Sequence, residues 1–168
     1  PTLIVGDFDS IDENILNYYK ESNVDLNVFP EEKDFTDSQA AVIKAIDMGA
    51  DKIALLGCTG SRLDHVLGNI NLLYSSLNFN VQCYIRDEFN YIKMVNKSTY
   101  IKKDKFKYFS LISFKEDVVN LTIHGAKYPL NNYHLKVGDV LGISNEIKEN
   151  EAYIDFSSGI LLIIQSRD

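Results

Sequence analysis

Short apolar runs alternate with helix-like patterns through the first half of the chain. The runs at 2–5, 26–29 and 52–56 predict strands, and the apolar spacing at 11–21, 36–49 and 63–77 predicts helices. Thr36 and Gln39 have the spacing of a capping box, and Gly49 suits a helix exit. Strand alternating with helix indicates a parallel sheet with crossover helices.

The third predicted helix carries apolar residues at helical spacing, so we expect one of its faces to pack on a sheet. These residues are Leu63, Val66, Leu67, Ile70 and Leu77.

After about residue 78 the pattern changes to short β-rich runs separated by turn signals, and no convincing helix follows. Strands are predicted at 81–85, 91–95, 108–114, 118–123 and 160–165, although the run at 81–85 could still belong to the parallel sheet. We therefore predict an α/β plus all-β protein. A Rossmann-like parallel α/β domain over 1–92 precedes an antiparallel β-sandwich over 93–168.

Composition narrows the class of protein. The 168 residues are 45% hydrophobic and 24% charged, which is ordinary for a globular chain. A net charge of -7 argues against nucleic acid or an anionic membrane as the main partner, because proteins bind both through clustered Lys and Arg. The sequence has no membrane-length apolar run and no signal-peptide pattern, so we predict a cytoplasmic protein with Cys58 and Cys83 as reduced thiols.

Two carboxylates follow the first predicted strand, at Asp7 and Asp9. If this segment is extended, residues two apart point the same way, at the carboxyl end of a parallel strand where open α/β sheets bind ligands. Converging carboxylates suit a magnesium ion that also holds substrate phosphates. The alternative is that one Asp caps the next helix and the other is solvated.

The next strand is followed by Lys33, Asp34, Thr36 and Asp37, at the start of a predicted helix. The helix dipole and capping explain Asp37 without any ligand. They do not explain Lys33, since a cation at a helix N-terminus needs a nearby anion. A bound phosphate would provide that anion, and Asp37 would then be a third metal ligand beside Asp7 and Asp9.

The third strand is followed by a loop that combines glycines, an arginine and a helix start. Glycines permit close backbone approach, and free N–H groups together with Arg62 suit phosphate oxygens. The P-loop pattern is absent. The candidate phosphate-binding residues are Thr59, Gly60, Ser61, Arg62, Asp64 and His65.

These segments together resemble the motifs of the thiamine pyrophosphokinase family. Residues 6–10, 33–37 and 60–65 read Gly-Asp-Phe-Asp-Ser, Lys-Asp-Phe-Thr-Asp and Gly-Ser-Arg-Leu-Asp-His. The late segments 141–146 and 159–168 are similar to that family's C-terminal β-domain, so the resemblance covers nearly the whole chain.

The resemblance implies an enzyme that transfers the diphosphate of Mg²⁺-bound ATP to the thiamine hydroxyl, giving thiamine diphosphate and AMP. It also implies a homodimer with thiamine bound where the subunits meet. Magnesium would be held by Asp7, Asp9 and Asp37. ATP would be contacted or positioned by Lys33, Arg62 and Asp64 with their neighbours Asp34, Thr36, Thr59, Gly60, Ser61 and His65. Thiamine would be contacted by Ser144 and Asn145, although Ser-Asn after Gly142 is also ordinary turn chemistry.

Two departures from the family pattern stand out. An aromatic residue often follows Ser-Asn-Glu in the family, whereas Ile147 stands here. Family members also usually begin with a further strand and helix that carry an Asp-Gly-Gly motif, so we expect this chain to lack an edge of the sheet and one carboxylate.

Two other functions stay open at this stage. Asp7 followed by Asp9-Ser10 also fits the nucleophile motif of haloacid-dehalogenase phosphatases, but the later acidic pair that those enzymes need does not occur. A non-catalytic nucleotide- or thiamine-binding module is the other alternative. For the kinase, the acceptor of the hydroxyl proton stays open: Asp9 is a candidate only if it is not fully committed to the metal, and His65 is a weaker one.

Overall fold

The computed structural model describes residues 1–9, 11–30 and 34–168, which fall into two compact units, Pro1–Ala50 and Asp51–Asp168. Lys33 therefore lies outside the described residues. Among the described residues, the structure contains no helix with the length and hydrophobicity of a membrane span. Cys58 and Cys83 are free thiols, as predicted.

The first unit is built from two strand–helix pairs. Its elements are β1 (Leu3–Gly6), α1 (Glu13–Glu21), β2 (Asp25–Val28) and α2 (Asp37–Asp47). The two strands pair in parallel, with Gly6 opposite Val28. The predicted cap of α2 is confirmed, because Thr36 Oγ1 accepts a hydrogen bond of 3.2 Å from the N–H of Gln39. Gly49 lies just after the end of this helix and has φ +87°, a conformation that favours glycine.

The second unit holds two sheets and one helix. Its elements are β3 (Lys52–Leu56), α3 (Leu63–Leu77), β4 (Gln82–Arg86), β5 (Asn90–Val95), β6 (Thr99–Lys102), β7 (Tyr108–Ser113), β8 (Val118–His124), β9 (Leu130–Leu135), β10 (Asn145–Glu146), β11 (Glu151–Asp155) and β12 (Leu161–Ser166). One sheet has the order β10-β7-β12-β5-β4-β3, and the other has the order β6-β11-β8-β9. Within the six-stranded sheet, β3 and β4 pair in parallel and the other neighbours pair antiparallel, so this sheet is mixed.

The core of this unit is apolar and contains residues of both sheets. Alternation along β7 and β12 buries Leu111 and Ile163, which are opposite one another. They cluster with Leu121 of β8 and Ile154 of β11. Two sheets with a shared apolar core form a sandwich. The predicted fold class, an α/β part followed by a β-sandwich, is confirmed.

The bounds predicted for α3 are confirmed, and the helix packs one face on β4 and β5 as predicted. Of the five residues named for that face, Val66, Ile70 and Leu77 are half-buried, but the other two are not on it. Leu63 and Leu67 are 74% and 61% exposed, whereas the buried residues of the helix are Asn69, Leu72, Leu73 and Ser76. The polar members are buried without loss of hydrogen bonds. Asn69 donates to the carbonyl of Cys58 at 3.1 Å, and Ser76 donates to that of Leu72 at 2.8 Å.

Gly142 is a packing requirement of the sandwich. A Cβ atom at this position would lie 2.2 Å from the carbonyl oxygen of Leu111. The backbones approach because the N–H of Leu111 donates to the carbonyl of Gly142 at 2.8 Å. The loop that carries Ser144 is therefore fixed against β7.

Candidate functional site

Asp7 lies at the carboxyl end of β1, and the carboxylate of Asp37, at the start of α2, lies beside this end. Asp7 follows Gly6 directly, and Oδ2 of Asp37 is 3.8 Å from the position that a Cβ atom of Gly6 would take. The N–H of Phe29 donates to the carbonyl of Gly6 at 2.9 Å, so the ends of β1 and β2 are held together where α2 begins. The parallel pairing therefore brings Asp7 and Asp37 to one edge.

The segment after β1 turns instead of staying extended. Phe8 has φ +61°, which is rare for an aromatic residue, and the N–H of Asp9 donates to Oδ1 of Asp7 at 3.3 Å. The expectation of a straight Asp7–Asp9 pair is corrected, because period-two alternation requires an extended residue between them. Backbone strain of this kind often accompanies a functional site.

The donor chemistry at this edge suits magnesium. Magnesium is commonly held by one or two carboxylates together with substrate phosphates and water. Among residues 1–9, 11–30 and 34–168, no three side chains of His, Cys, Asp or Glu lie at metal-binding spacing. Asp7 and Asp37 thus fit as a pair of ligands, and the addition of Asp9 stays a prediction.

The start of α2 supplies polar groups beside Asp37. Asp34 and Thr36 are exposed, and Thr36 is the helix cap. Asp37 stands in the first turn, where the helix dipole favours its negative charge. The predicted ATP contacts of Asp34 and Thr36 are not tested by these positions, and they stay predictions.

The loop after β3 is held in place by two hydrogen bonds. Gly57 has φ +71°, which lets the chain turn sharply out of the strand. The side chain of Asn69 in α3 donates to the carbonyl of Cys58 at 3.1 Å, and Thr59 Oγ1 donates to Oδ2 of Asp87 at 2.6 Å. The loop is therefore fixed on both sides, while Gly60 and Ser61 stay exposed.

Arg62 and Asp64 form a two-point ion pair at the start of α3. Nε of Arg62 donates to Oδ1 of Asp64 at 3.2 Å, and Nη2 donates to Oδ2 at 2.6 Å. The hydrogen bond from Arg62 is the main cause that lowers the pKa of Asp64 to about 2. The N–H of His65 also donates to Oδ1 of Asp64, at 3.0 Å. Asp64 thus orients an exposed guanidinium, which keeps free donors for an anion.

The side chains of Ser144 and Asn145 differ in how accessible they are to a ligand. Ser144 is exposed with φ +59°, and its N–H donates to Oγ of Ser110 at 3.0 Å. Asn145 is buried. Its Oδ1 accepts from the N–H of Tyr128 at 3.0 Å, and its Nδ2 donates to the carbonyl of Tyr128 at 2.8 Å. The amide of Asn145 therefore fixes the backbone of Tyr128, and Ser144 is the side chain open to a ligand.

Comparison with known proteins identifies the family. The model of "Thiamin pyrophosphokinase, catalytic domain" matches residues 1–85, and that of "Thiamin pyrophosphokinase, vitamin B1 binding domain" matches residues 98–161. Thiamine pyrophosphokinase of Bacillus subtilis (strain 168) is 42% identical over 170 residues, which span 100% of this chain and 79% of that protein. The chain belongs to the thiamine pyrophosphokinase family.

Solved structures of the thiamine pyrophosphokinase family agree with this fold. The crystal structure of the Bacillus subtilis enzyme matches with a TM-score of 0.94 and 39% identity, over 100% of this chain and 79% of that one. The thiamin pyrophosphokinase of Geobacillus thermodenitrificans matches with a TM-score of 0.88 and 35% identity, over 100% and 78%. These matches do not favour the phosphatase alternative.

Sequence reasoning missed Asp87 in this member of the thiamine pyrophosphokinase family. Asp87 follows β4 and accepts from Thr59, from the N–H groups of Phe89 and Asn90 at 2.7 and 2.5 Å, and from the side chain of Asn90. These bonds lower the pKa of its carboxyl, although partial burial opposes the shift. In the sequence, Asp87 and Asn90 form an Asp-x-x-Asn turn pattern after a strand. This pattern predicts a turn but does not indicate a functional role unless the contact with Thr59 is known.

Proposed function

We propose that this chain transfers the diphosphate group of ATP to the hydroxyl of thiamine, giving thiamine diphosphate and AMP. The observation that carries the proposal is the 42% identity with a thiamine pyrophosphokinase over the full length of the chain. We place the division between the ATP-binding and thiamine-binding domains at 92/93. Its support is that the two family models match on either side, at 1–85 and 98–161.

The acidic group after β1 is the proposed magnesium site. Asp7 and Asp37 would hold the ion, with Asp9 as the further ligand predicted from the sequence. When bound, magnesium neutralises charge on the phosphate oxygens. The support is the position of the Asp37 carboxylate beside Gly6 and the turn that Asp7 makes with Asp9. Lys33 is proposed as a phosphate contact, from the sequence alone.

The loop after β3 is the proposed phosphate-positioning element. Transfer of this kind needs little covalent chemistry from the protein, so positioning and charge neutralisation dominate. Arg62 would contact phosphate oxygens while Asp64 holds its guanidinium. Thr59, fixed by Asp87, and Gly60 and Ser61 would line the phosphates. The proton of the thiamine hydroxyl would go to Asp9 only if its carboxylate is not fully committed to magnesium, and His65 is the weaker candidate.

Thiamine would bind beside Ser144 in a homodimer. The support is a run of exposed apolar residues directly before Ser144, namely Val137, Val140, Leu141 and Ile143. Contiguous exposed apolar surface commonly marks an interaction site. A second copy of the chain is the proposed occupant, because the apolar run continues into the predicted thiamine site. Asn145 would act on this site through the backbone of Tyr128. The cytoplasmic location stays a prediction.

Incubation with ATP, magnesium and thiamine tests the proposal. We expect AMP and thiamine diphosphate in equal amounts, and no AMP when thiamine is omitted. Inorganic phosphate without AMP would identify a phosphatase instead. Saturable binding of thiamine and ATP without turnover would identify a binding module.

A further inference from the structure

One face of the six-stranded sheet changes character from β7 to β4. Leu111, Ile163, Lys93 and Tyr84 are paired in a continuous row across β7, β12, β5 and β4. Leu111 and Ile163 are fully buried in the sandwich core. Lys93 and Tyr84 continue the same face but are only half-buried. The face is thus apolar within the sandwich core and becomes polar on the neighbouring strands.

A pocket of about 520 Å³ lies over this polar part, and its lining is rich in cations. The five basic residues are Lys52, Arg86, Lys93, Lys102 and Lys103. A chain with a net charge of -7 has no general excess of basic residues that would place them here by composition. Like charges brought together repel, so this cluster favours a ligand of opposite charge.

The cations of the pocket are poorly neutralised by the protein. Of the described residues that line the pocket, Asp104 is the one carboxylate, and its Oδ2 is 4.0 Å from Nη2 of Arg86, the outer limit of an ion pair. Across residues 1–9, 11–30 and 34–168, Lys52, Lys93 and Lys102 form no ion pair. The pocket therefore holds several positive charges that can accept an external anion.

Lys93 has the greatest need for a counter-ion. Within the part of the chain that the structure describes, its Nζ has one hydrogen bond, to the carbonyl of Tyr100 at 3.5 Å. Burial lowers the pKa of its ammonium group, because a charge is poorly solvated there. An anion in the pocket would replace the missing solvation and favour the charged form.

Tyrosine rings position the other cations. Nζ of Lys52 is 5.5 Å from the centroid of Tyr84, and Cζ of Arg86 is 6.0 Å from that of Tyr91. The rings of Tyr84 and Tyr91 are themselves 5.2 Å apart. Cation–π contacts hold these groups at the pocket without neutralising them. The hydroxyls of the tyrosines add donors for anionic oxygens.

We propose that this pocket binds an oligophosphate, that is, a ligand with two or three linked phosphate groups. Such a group carries several negative charges and many acceptor oxygens within a few ångströms, which matches a cluster of four Lys and one Arg. A nucleic acid or an anionic membrane would be repelled by the rest of an acidic protein. The proposal does not depend on the proposed catalytic activity.

Titration calorimetry of the full chain with inorganic triphosphate, without magnesium or thiamine, tests the proposal. We expect saturable binding that weakens as salt is added. Lys93→Met and Lys102→Gln should each weaken it about tenfold. Lys148→Gln, which removes an exposed lysine outside the pocket, should bind as the unmodified chain does. Lys102 is exposed too, so its replacement keeps the fold even if that of Lys93 does not.

A further variant separates this pocket from the phosphate-positioning loop. Arg62→Gln removes the proposed phosphate contact of that loop, so the triphosphate binding that remains in this variant should still be saturable and should be weakened about tenfold by Lys102→Gln. Absence of binding by the unmodified chain, or equal loss in Lys102→Gln and Lys148→Gln, would overturn the proposal. So would loss of binding in Arg62→Gln with none in Lys102→Gln.

ATP and adenosine titrated into Arg62→Gln distinguish a nucleotide ligand from an inorganic one. ATP binding that Lys102→Gln weakens indicates a nucleotide, and triphosphate binding alone indicates an inorganic ligand. Adenosine binding that Lys102→Gln weakens as strongly as ATP binding would contradict recognition through phosphate.

Discussion

Thr59 Oγ1 donates a hydrogen bond of 2.6 Å to Oδ2 of Asp87, which ties the loop after β3 to the turn after β4. Asp87 lies 28 residues further along the chain, and the parallel pairing of β3 with β4 brings the two together. The proposed phosphate loop is thus held by a residue that does not belong to it.

Thr59→Val should loosen the phosphate loop, because the partly buried carboxylate of Asp87 loses a donor. We expect a loss of about 1 kcal/mol in the free energy of unfolding, measured by urea denaturation, and a raised KM for ATP. Thr59→Ser, which keeps the hydroxyl, should restore both values. Equal KM values for Thr59→Val and the unmodified chain would show that the bond does not position ATP.

Replacement of the acidic residues after β1 and at the start of α2 should stop turnover without unfolding the chain. Asp7→Asn and Asp37→Asn each remove a charge that the proposed metal needs, so kcat should fall by roughly 100-fold or more. Asp9→Ala should abolish AMP formation as well.

Asp25→Asn, at the exposed start of β2, is the control for these three variants. It should keep normal turnover, and circular dichroism should show native structure in all four. Near-normal AMP formation in Asp9→Ala would remove that residue from the site.

The ion pair of Arg62 and Asp64 should persist in acid. The pKa of Asp64 is lowered to about 2 by Arg62, below its unfolded value of about 3.9. The stabilisation that comes from this carboxylate is therefore complete above the unfolded value and is lost as the pH falls through about 2. We expect Arg62→Gln to raise the Asp64 pKa towards the ordinary value, as measured by carbon NMR of the carboxyl. An unchanged titration would show that Arg62 is not the cause.

Val140→Asp should separate the proposed dimer. Val140 is 77% exposed in the apolar run before Ser144, and burying a new charge in an interface is costly. We expect a shift from dimer to monomer in analytical ultracentrifugation, together with a raised KM for thiamine. Phe79→Asp changes an equally apolar exposed residue after α3 and should stay dimeric. A monomeric unmodified chain would contradict the prediction.

Gly142→Ala should destabilise the sandwich. The new Cβ atom would lie 2.2 Å from the carbonyl oxygen of Leu111, so one of the two backbones must move. We expect a loss of about 2 kcal/mol in the free energy of unfolding. Gly68→Ala is a control of opposite sign, since its Cβ would meet nothing within 4 Å and alanine favours α3 by up to about 1 kcal/mol. Equal stability of both variants would show that the contact relaxes freely.

Local sequence determined most of the secondary structure and the candidate chemistry. The bounds of α3, the cap at Thr36 and the change to β-rich pattern near residue 78 all follow from periodicity and capping, which act over a few residues. The motifs after β1, before α2 and after β3 carried the family resemblance. Their individual roles in binding ATP, thiamine and metal stay predictions.

Tertiary structure decided the features that depend on contacts between residues far apart in the sequence. The strands β6, β9, β10 and β11 were not predicted, because each is short and most of its residues are polar or exposed, although some, such as Ile154 of β11, are buried in the core. Such strands are defined by their neighbours and not by their own pattern. The buried face of α3 was predicted only in part, through Val66, Ile70 and Leu77. Its leucines occur on more than one side, and Asn69 is buried because it has the carbonyl of Cys58 to bond. The link from Thr59 to Asp87 and the basic pocket beside Lys93 likewise exist only because pairing brings separate strands together.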